Sequence, residues 1–111
     1  MSKASDLTRI ALTLDGTTAA PHFDRTAFKA KRIYATLAAD KRTANVRLTP
    51  DEQEFKCMLA PEIFAPVPNS WGRQGWTTIT LANASAAELR AVLTTAWMHA
   101  LATKPKRERK K

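Results

Sequence analysis

The chain has 111 residues, with 18 Lys or Arg against 10 Asp or Glu and a formal net charge of +8. That length suits one domain able to bury a core without disulfides or metal. Its three glycines, Gly16, Gly72 and Gly75, have the wrong spacing for a dinucleotide fingerprint or a phosphate-binding P-loop. Its one cysteine, Cys57, excludes an internal disulfide framework and any multi-cysteine zinc site, and is read as a small apolar filler.

The predicted elements follow from periodicity and turn chemistry. Ser5 or Asp6 caps a first helix whose apolar positions Leu7, Ile10, Ala11 and Leu14 keep helical spacing, and Gly16 ends it. A loop runs through Pro21. Alternation then takes over: Phe28 and Ala30 point one way, and Ile33, Ala35 and Leu37 share a face opposite Arg32, Tyr34 and Thr36. The segments Lys29 to Arg32 and Asp40 to Arg42 hold the turns, and Ala44, Val46 and Leu48 make a third strand with Asn45 and Arg47 outward. Three strands with short connections predict an antiparallel meander.

Thr49 opens a second helix, with Pro50 at its first position and Glu52 completing a capping box. Phe55, Met58 and Leu59 give it an apolar face, and Pro61 ends it. Residues 62–75 are punctuated by Pro66, Pro68, Gly72 and Gly75 and read as irregular. Trp76 to Leu81 alternates as a strand. Ser85 and Glu88 then box a last helix with an apolar stripe of Leu89, Val92, Leu93, Ala96, Trp97, Ala100 and Leu101. The stripe predicts Trp97 buried between helix and sheet. The whole is an α+β layer, an antiparallel sheet with helices on one face.

Residues 1–103 form the expected domain. The last eight residues, Lys104 to Lys111, carry six basic side chains and one acid, so they cannot bury anything and are expected to be disordered. Such a tail serves either as an arm for nucleic acid or as a solubilising terminus. Asp6 and Arg9 interrupt the first apolar stretch, and the longest uncharged runs, of 14 and 13 residues, fall short of the roughly 18 that suggest a membrane span. The expectation is a cytoplasmic protein without a membrane segment.

No catalytic set assembles from these residues. His22 and His99 are the only imidazoles, and Asp51 and Glu52 sit where any helix welcomes negative charge. Glu54 adds a third carboxylate to what is read as a solvated first turn. Cys57 has only Lys56 as a basic neighbour, too little for a thiolate nucleophile. The expectation is no enzyme, no cofactor and no metal. Two stretches stand out: Pro21 to Phe28 with the basic run Lys29, Lys31 and Arg32 behind it, and Trp71-Gly72-Arg73-Gln74-Gly75-Trp76. The second can present an indole and a guanidinium to phosphate or base. Alternatively, Trp76 packs inward and the glycines serve only the turn.

In order along the chain, the His22-Phe23 loop, Phe28 with Ile33-Tyr34-Ala35-Thr36-Leu37, the Thr49-Pro50 helix, the Trp71 to Trp76 loop with its strand, and the Ser85 helix resemble the MmcQ/YjbR family. The resemblance spans about Asp6 to Thr103. Lys29-Ala30-Lys31-Arg32 stands where members often have a glycine-containing turn, and Asp15 where a proline is common. The resemblance implies a CyaY-like α/β sandwich of double-wing type and a bacterial DNA-binding role, with no catalytic residues. DNA phosphates would then be held by Lys29, Lys31, Arg32, Lys41, Arg42 and Arg73, with Trp71 stacking or wedging, and with weak sequence selectivity. The alternative is a protein- or small-ligand-binding domain with a pocket near His22, Tyr34 and Trp71.

Overall fold

A computed structural model describes residues 2–102 of the chain; the expected tail at 104–111 lies outside them. In chain order the elements are α1 (Ala4–Thr13), β1 (Thr18–His22), β2 (Arg25–Lys29), β3 (Ile33–Leu37), β4 (Thr43–Arg47), α2 (Pro50–Leu59), β5 (Phe64–Pro66), the short α3 (Ser70–Arg73), β6 (Trp76–Thr80), a turn of 3-10 helix (Leu81–Asn83) and α4 (Ala86–Ala102). The strands make one six-stranded sheet, ordered β1-β2-β3-β4-β6-β5, and every pairing is antiparallel. The fold is the expected α+β class.

Both capping boxes form. The Thr49 N–H donates to Glu52 at 2.9 Å while the Glu52 N–H donates to the Thr49 hydroxyl at 3.2 Å. Ser85 and Glu88 repeat the exchange at 2.8 and 3.1 Å. At α1 the cap falls on Lys3 rather than Ser5 or Asp6. Asp6 sits at the third helical position and accepts the Lys3 N–H at 2.9 Å.

Antiparallel register fixes which side chains share a face, because directly paired residues point the same way. Ala35 pairs with Val46, Val46 with Thr77, and Ala44 with Ile79; all are buried. With Phe28 and Leu37, the apolar members of these pairs pack against Leu7 and Ile10 of α1 and Leu89, Val92, Leu93 and Ala96 of α4. The core therefore lies between α1, α4 and one face of the sheet. Helix α2 lies along β5, and α4 reaches it where His99 Nε2 meets Glu52 at 2.9 Å.

Five expectations are corrected. Thr18–His22 is a strand, not a loop; it is exposed at every position, so it shows no apolar alternation, and its Pro21 is tolerated on a sheet edge. Residues 62–75 hold a three-residue edge strand and a single turn of helix, both too short to leave a period. Tyr34 does not face away from the helices. A register shift between Phe28 and Lys29 breaks the alternation, and Tyr34 is buried with its hydroxyl 2.9 Å from Thr17 Oγ1 and 3.4 Å from the Ala11 carbonyl of α1. Burial holds the phenol above its usual range, against the Thr17 contact. Trp97 is only partly buried at the core's rim, because its indole N–H reaches out to the Asp15 carbonyl at 2.8 Å. Finally, the apolar side of α2 faces outward: Phe55, Met58 and Leu59 are 56%, 69% and 65% exposed. Gln53, Cys57 and Ala60 turn inward instead, with Gln53 Nε2 donating to the Gly72 and Trp76 carbonyls at 2.9 Å each.

Candidate functional site

Alternation carries a second set of side chains to the face that α1 and α4 leave uncovered. The pairs Thr36–Asn45, Asn45–Thr78 and Arg47–Trp76 lie there, and so do Arg25, Ala27 and Lys29 of β2. Ala27 and Trp76 are buried yet stand outside the helix-side core, as this placement requires. Small polar contacts order the surface. Arg25 Nε donates to the Thr36 hydroxyl at 2.8 Å, holding the guanidinium against the sheet, and the Thr78 hydroxyl donates to Asn45 Oδ1 at 2.9 Å.

No strand contains an aspartate or glutamate. Arg25, Lys29 and Arg47 therefore share this face without a carboxylate beside them in the sheet. Among the described residues the one ion pair made by a Lys or Arg is Arg9 with Asp6 at 2.9 Å, on α1. Those hydrogen bonds, the Lys3 N–H first and the Arg9 guanidinium next, hold the Asp6 carboxyl below its usual range. The sheet's cations have no such neutralisation, so their field is available to an anion.

At one end of this face the tryptophan loop closes over β6. Trp71 stands edge-on to Trp76, with ring centroids 6.4 Å apart and planes at 80°. Trp76 is buried beneath it, its indole N–H without a partner, and Trp71 is 55% exposed. Two glycines make the loop. A Cβ at Gly75, whose φ is +108, would overlap the Leu48 carbonyl, and one at Gly72 would overlap the Val67 carbonyl. Trp76 therefore packs inward and the glycines serve the turn, while Trp71 lies exposed beside it.

The register also sorts the expected phosphate-binding residues. Lys29, Lys31 and Arg32 lie at the β2–β3 turn, at the same end of the sheet as Arg47 and the loop bearing Arg73 and Trp71. Lys41 and Arg42 lie at the β3–β4 turn, at the other end, beside the His22–Arg25 hairpin. A five-residue strand separates the two groups by about 14 Å. The face bearing Arg25, Lys29 and Arg47 spans that gap. Sequence reasoning missed Arg25 and Arg47, although Arg47 was legible as the outward partner in the Ala44, Val46, Leu48 alternation. It singled out Pro21 to Phe28 but gave no role to Phe23, which at the hairpin tip is 93% exposed at a φ of +61 with its ring 4.8 Å from His22. Of the residues expected around a ligand pocket, His22 and Trp71 stand at opposite ends of the sheet and do not meet, while Tyr34 lines a cleft that Gln74 of the tryptophan loop also lines.

Among the described residues no three of His, Cys, Asp and Glu cluster as metal ligands would, and no helix is long and apolar enough to cross a membrane. Cys57 is partly packed against the core, and burial pushes its thiol up. Glu52 is a structural carboxylate. Partial burial opposes its charge, but the Thr49 N–H, His99 and the Thr49 hydroxyl outweigh that and hold it below the usual range.

Fold and surface together define a helix-backed antiparallel-sheet protein with a basic, carboxylate-free sheet face. The YjbR family model matches residues 12–99, and the chain belongs to the YjbR family. Among solved structures it is similar to the Deinococcus radiodurans protein DR2400, of domain family DUF419, with a TM-score of 0.75 and 21% identity over 88% of this chain and 78% of that one. No curated protein matches it.

Proposed function

We propose that the protein is a non-enzymatic DNA-binding module that holds the phosphate backbone with weak sequence selectivity. One observation supports this most: Arg25, Lys29 and Arg47 stand on a sheet face whose strands carry no acid, and none of them is in an ion pair among the described residues. Counterion release on contact with phosphates favours binding whatever the base sequence. Lys31, Arg32 and Arg73 extend the face at one end and Lys41 and Arg42 at the other. Trp71 is available to stack on a base or lie along a groove. The family's frequent description as DNA-binding points the same way.

The basic residues at 104–111 complicate any simple binding assay, so the test separates them from the sheet. Affinity of the full chain for a duplex is measured against salt, beside an Arg25→Ala, Lys29→Ala, Arg47→Ala triple variant. Losing three phosphate contacts should flatten the slope of log K against log salt by about 2.7, at about 0.9 per contact. An unchanged slope with unchanged affinity would remove the sheet face from the binding.

A further inference from the structure

A concavity lies at one end of the sheet, between the C-terminal half of α4, the start of α2, the β2–β3 turn and the end of β4. Its volume is about 360 Å³, within the range of small-molecule sites. Its origin is visible in the stripe of α4. Toward the helix N-terminus the core positions are Leu89, Val92 and Leu93; where the cleft opens they become Ala96 and Ala100. Two short side chains leave room that leucines would fill. Ile33 and Leu48 supply the opposite apolar wall.

The remaining wall is polar and built. His99 lines the cleft, held by Glu52, whose carboxylate oxygens lie 2.9 and 3.1 Å from its Nε2. The same carboxylate caps Thr49, so the imidazole is fixed to the first turn of α2 through a hydrogen-bonded chain. Arg32 lines the cleft from the β2–β3 turn, exposed and, among the described residues, outside any ion pair, and Tyr34, Arg47, Thr49 and Gln74 line it too. An apolar floor with a guanidinium at its edge and a fixed imidazole in its wall matches a molecule with a short apolar body and one anionic head.

We propose that this cleft binds a small monocarboxylate of benzoate size. Its apolar part lies on Ala96, Ala100, Ile33 and Leu48, and its carboxylate meets Arg32 at the edge. Carboxylate is favoured over a free inorganic anion because only a ligand with an apolar body gains from covering Ile33, Leu48, Pro50, Ala96 and Ala100. The site adjoins the sheet face assigned to DNA, since Arg47 of that face and Arg32 beside it both line the cleft.

The test uses benzoate and hexanoate as probes, with inorganic phosphate as the charge-only control, in titrations followed by amide NMR shifts of the full chain. The expected result is saturable binding of one or both carboxylates, with shifts at Ile33, Leu48, Ala96, His99 and Ala100. Arg32→Ala, a substitution at an exposed turn, should weaken it by about tenfold or more, the scale of one charge-assisted hydrogen bond. Ala96→Leu should abolish it, with the melting curve showing that the variant folds. The proposal is overturned by an unsaturable response, by shifts confined to the helix-free face, by phosphate matching the carboxylates, or by Arg32→Ala binding as tightly as the parent.

Discussion

The two faces of the sheet are made from the same six strands and behave as different materials. On the helix side, Phe28, Ala35, Val46 and Ile79 are shielded by α1 and α4 and carry the stability. On the other side, Arg25, Asn45, Arg47 and Thr78 alternate with them and contribute hydrogen bonds, charge and little burial. Because the period of a strand is two, a residue's place in the alternation decides whether substitution unfolds the protein or changes what it holds. The largest expected effect comes where the faces join. Gly75→Ala must escape both a positive φ and the Leu48 carbonyl, so a loss upwards of about 4 kcal/mol is expected, among the rare severe substitutions. Denaturant melts would check it, and a loss below about 1 kcal/mol would mean that the tryptophan loop is not tied to β4.

Next is a matched pair. Leu93→Ala, in the fully buried core, should cost about 3 kcal/mol. Arg47→Ala, one position beyond buried Val46, should stay within about 0.5 kcal/mol. Equal losses in equilibrium unfolding would break the two-face division. Trp97→Ala tests the rim between these extremes: partial burial and one hydrogen bond to Asp15 give about 2 kcal/mol, below the 3–5 of a sealed aromatic.

The junction of α2 with α4 should respond to acid. The Glu52 carboxyl is held below its usual range in the folded chain. Its contribution is therefore present above the unfolded glutamate value and is lost as pH falls through the folded one. With the side chain 36% exposed, solvent screening keeps that contribution below about 1 kcal/mol. Melting followed between neutral and acid pH should show Glu52→Gln less stable at neutral pH, with the gap to the parent closing on acidification. A gap that stays constant would show that the carboxylate's charge is not what joins the helices.

Legibility in the sequence followed burial. The Thr49–Glu52 and Ser85–Glu88 boxes were readable because capping chemistry is local, and β4 because Ala44 and Val46 alternate cleanly. Edge strand β1 left no pattern, since every side chain in it is exposed. Tyr34 was assigned to the wrong face because a bulge adds one residue to the count, which no periodicity reveals. Phe55, Met58 and Leu59 looked like a core face, yet α2 turns Cys57 and Ala60 to the core and is joined to its neighbours by Gln53 and Glu52 through polar contacts. The candidate site was legible as charges but not as a surface. Which cations share a face depends on register across strands, and that is a tertiary fact.

The smallest expected effect lies at the hairpin joining β1 to β2, and it is a gain. His22 pairs with Arg25, leaving a two-residue turn of Phe23 and Asp24. Phe23 has a φ of +61, and Asp24 is not among the positive-φ residues; that is the geometry of a turn whose first central position normally holds glycine. An L-residue there bears about 1–2 kcal/mol of strain. Only the edge contact with His22, at 4.8 Å, offsets it, because the ring is 93% exposed. Phe23→Gly relieves the strain but loses about 0.5–1 kcal/mol to the greater freedom of glycine in the unfolded chain. The net gain should be about 0.5 kcal/mol, a rise of about 2–4 °C in Tm for a domain of this size. Phe23→Ala keeps the strained backbone and removes the exposed ring, so its Tm should not rise. If both substitutions raise the Tm equally, the exposed aromatic rather than the turn is the source, and the hairpin tip stores no strain.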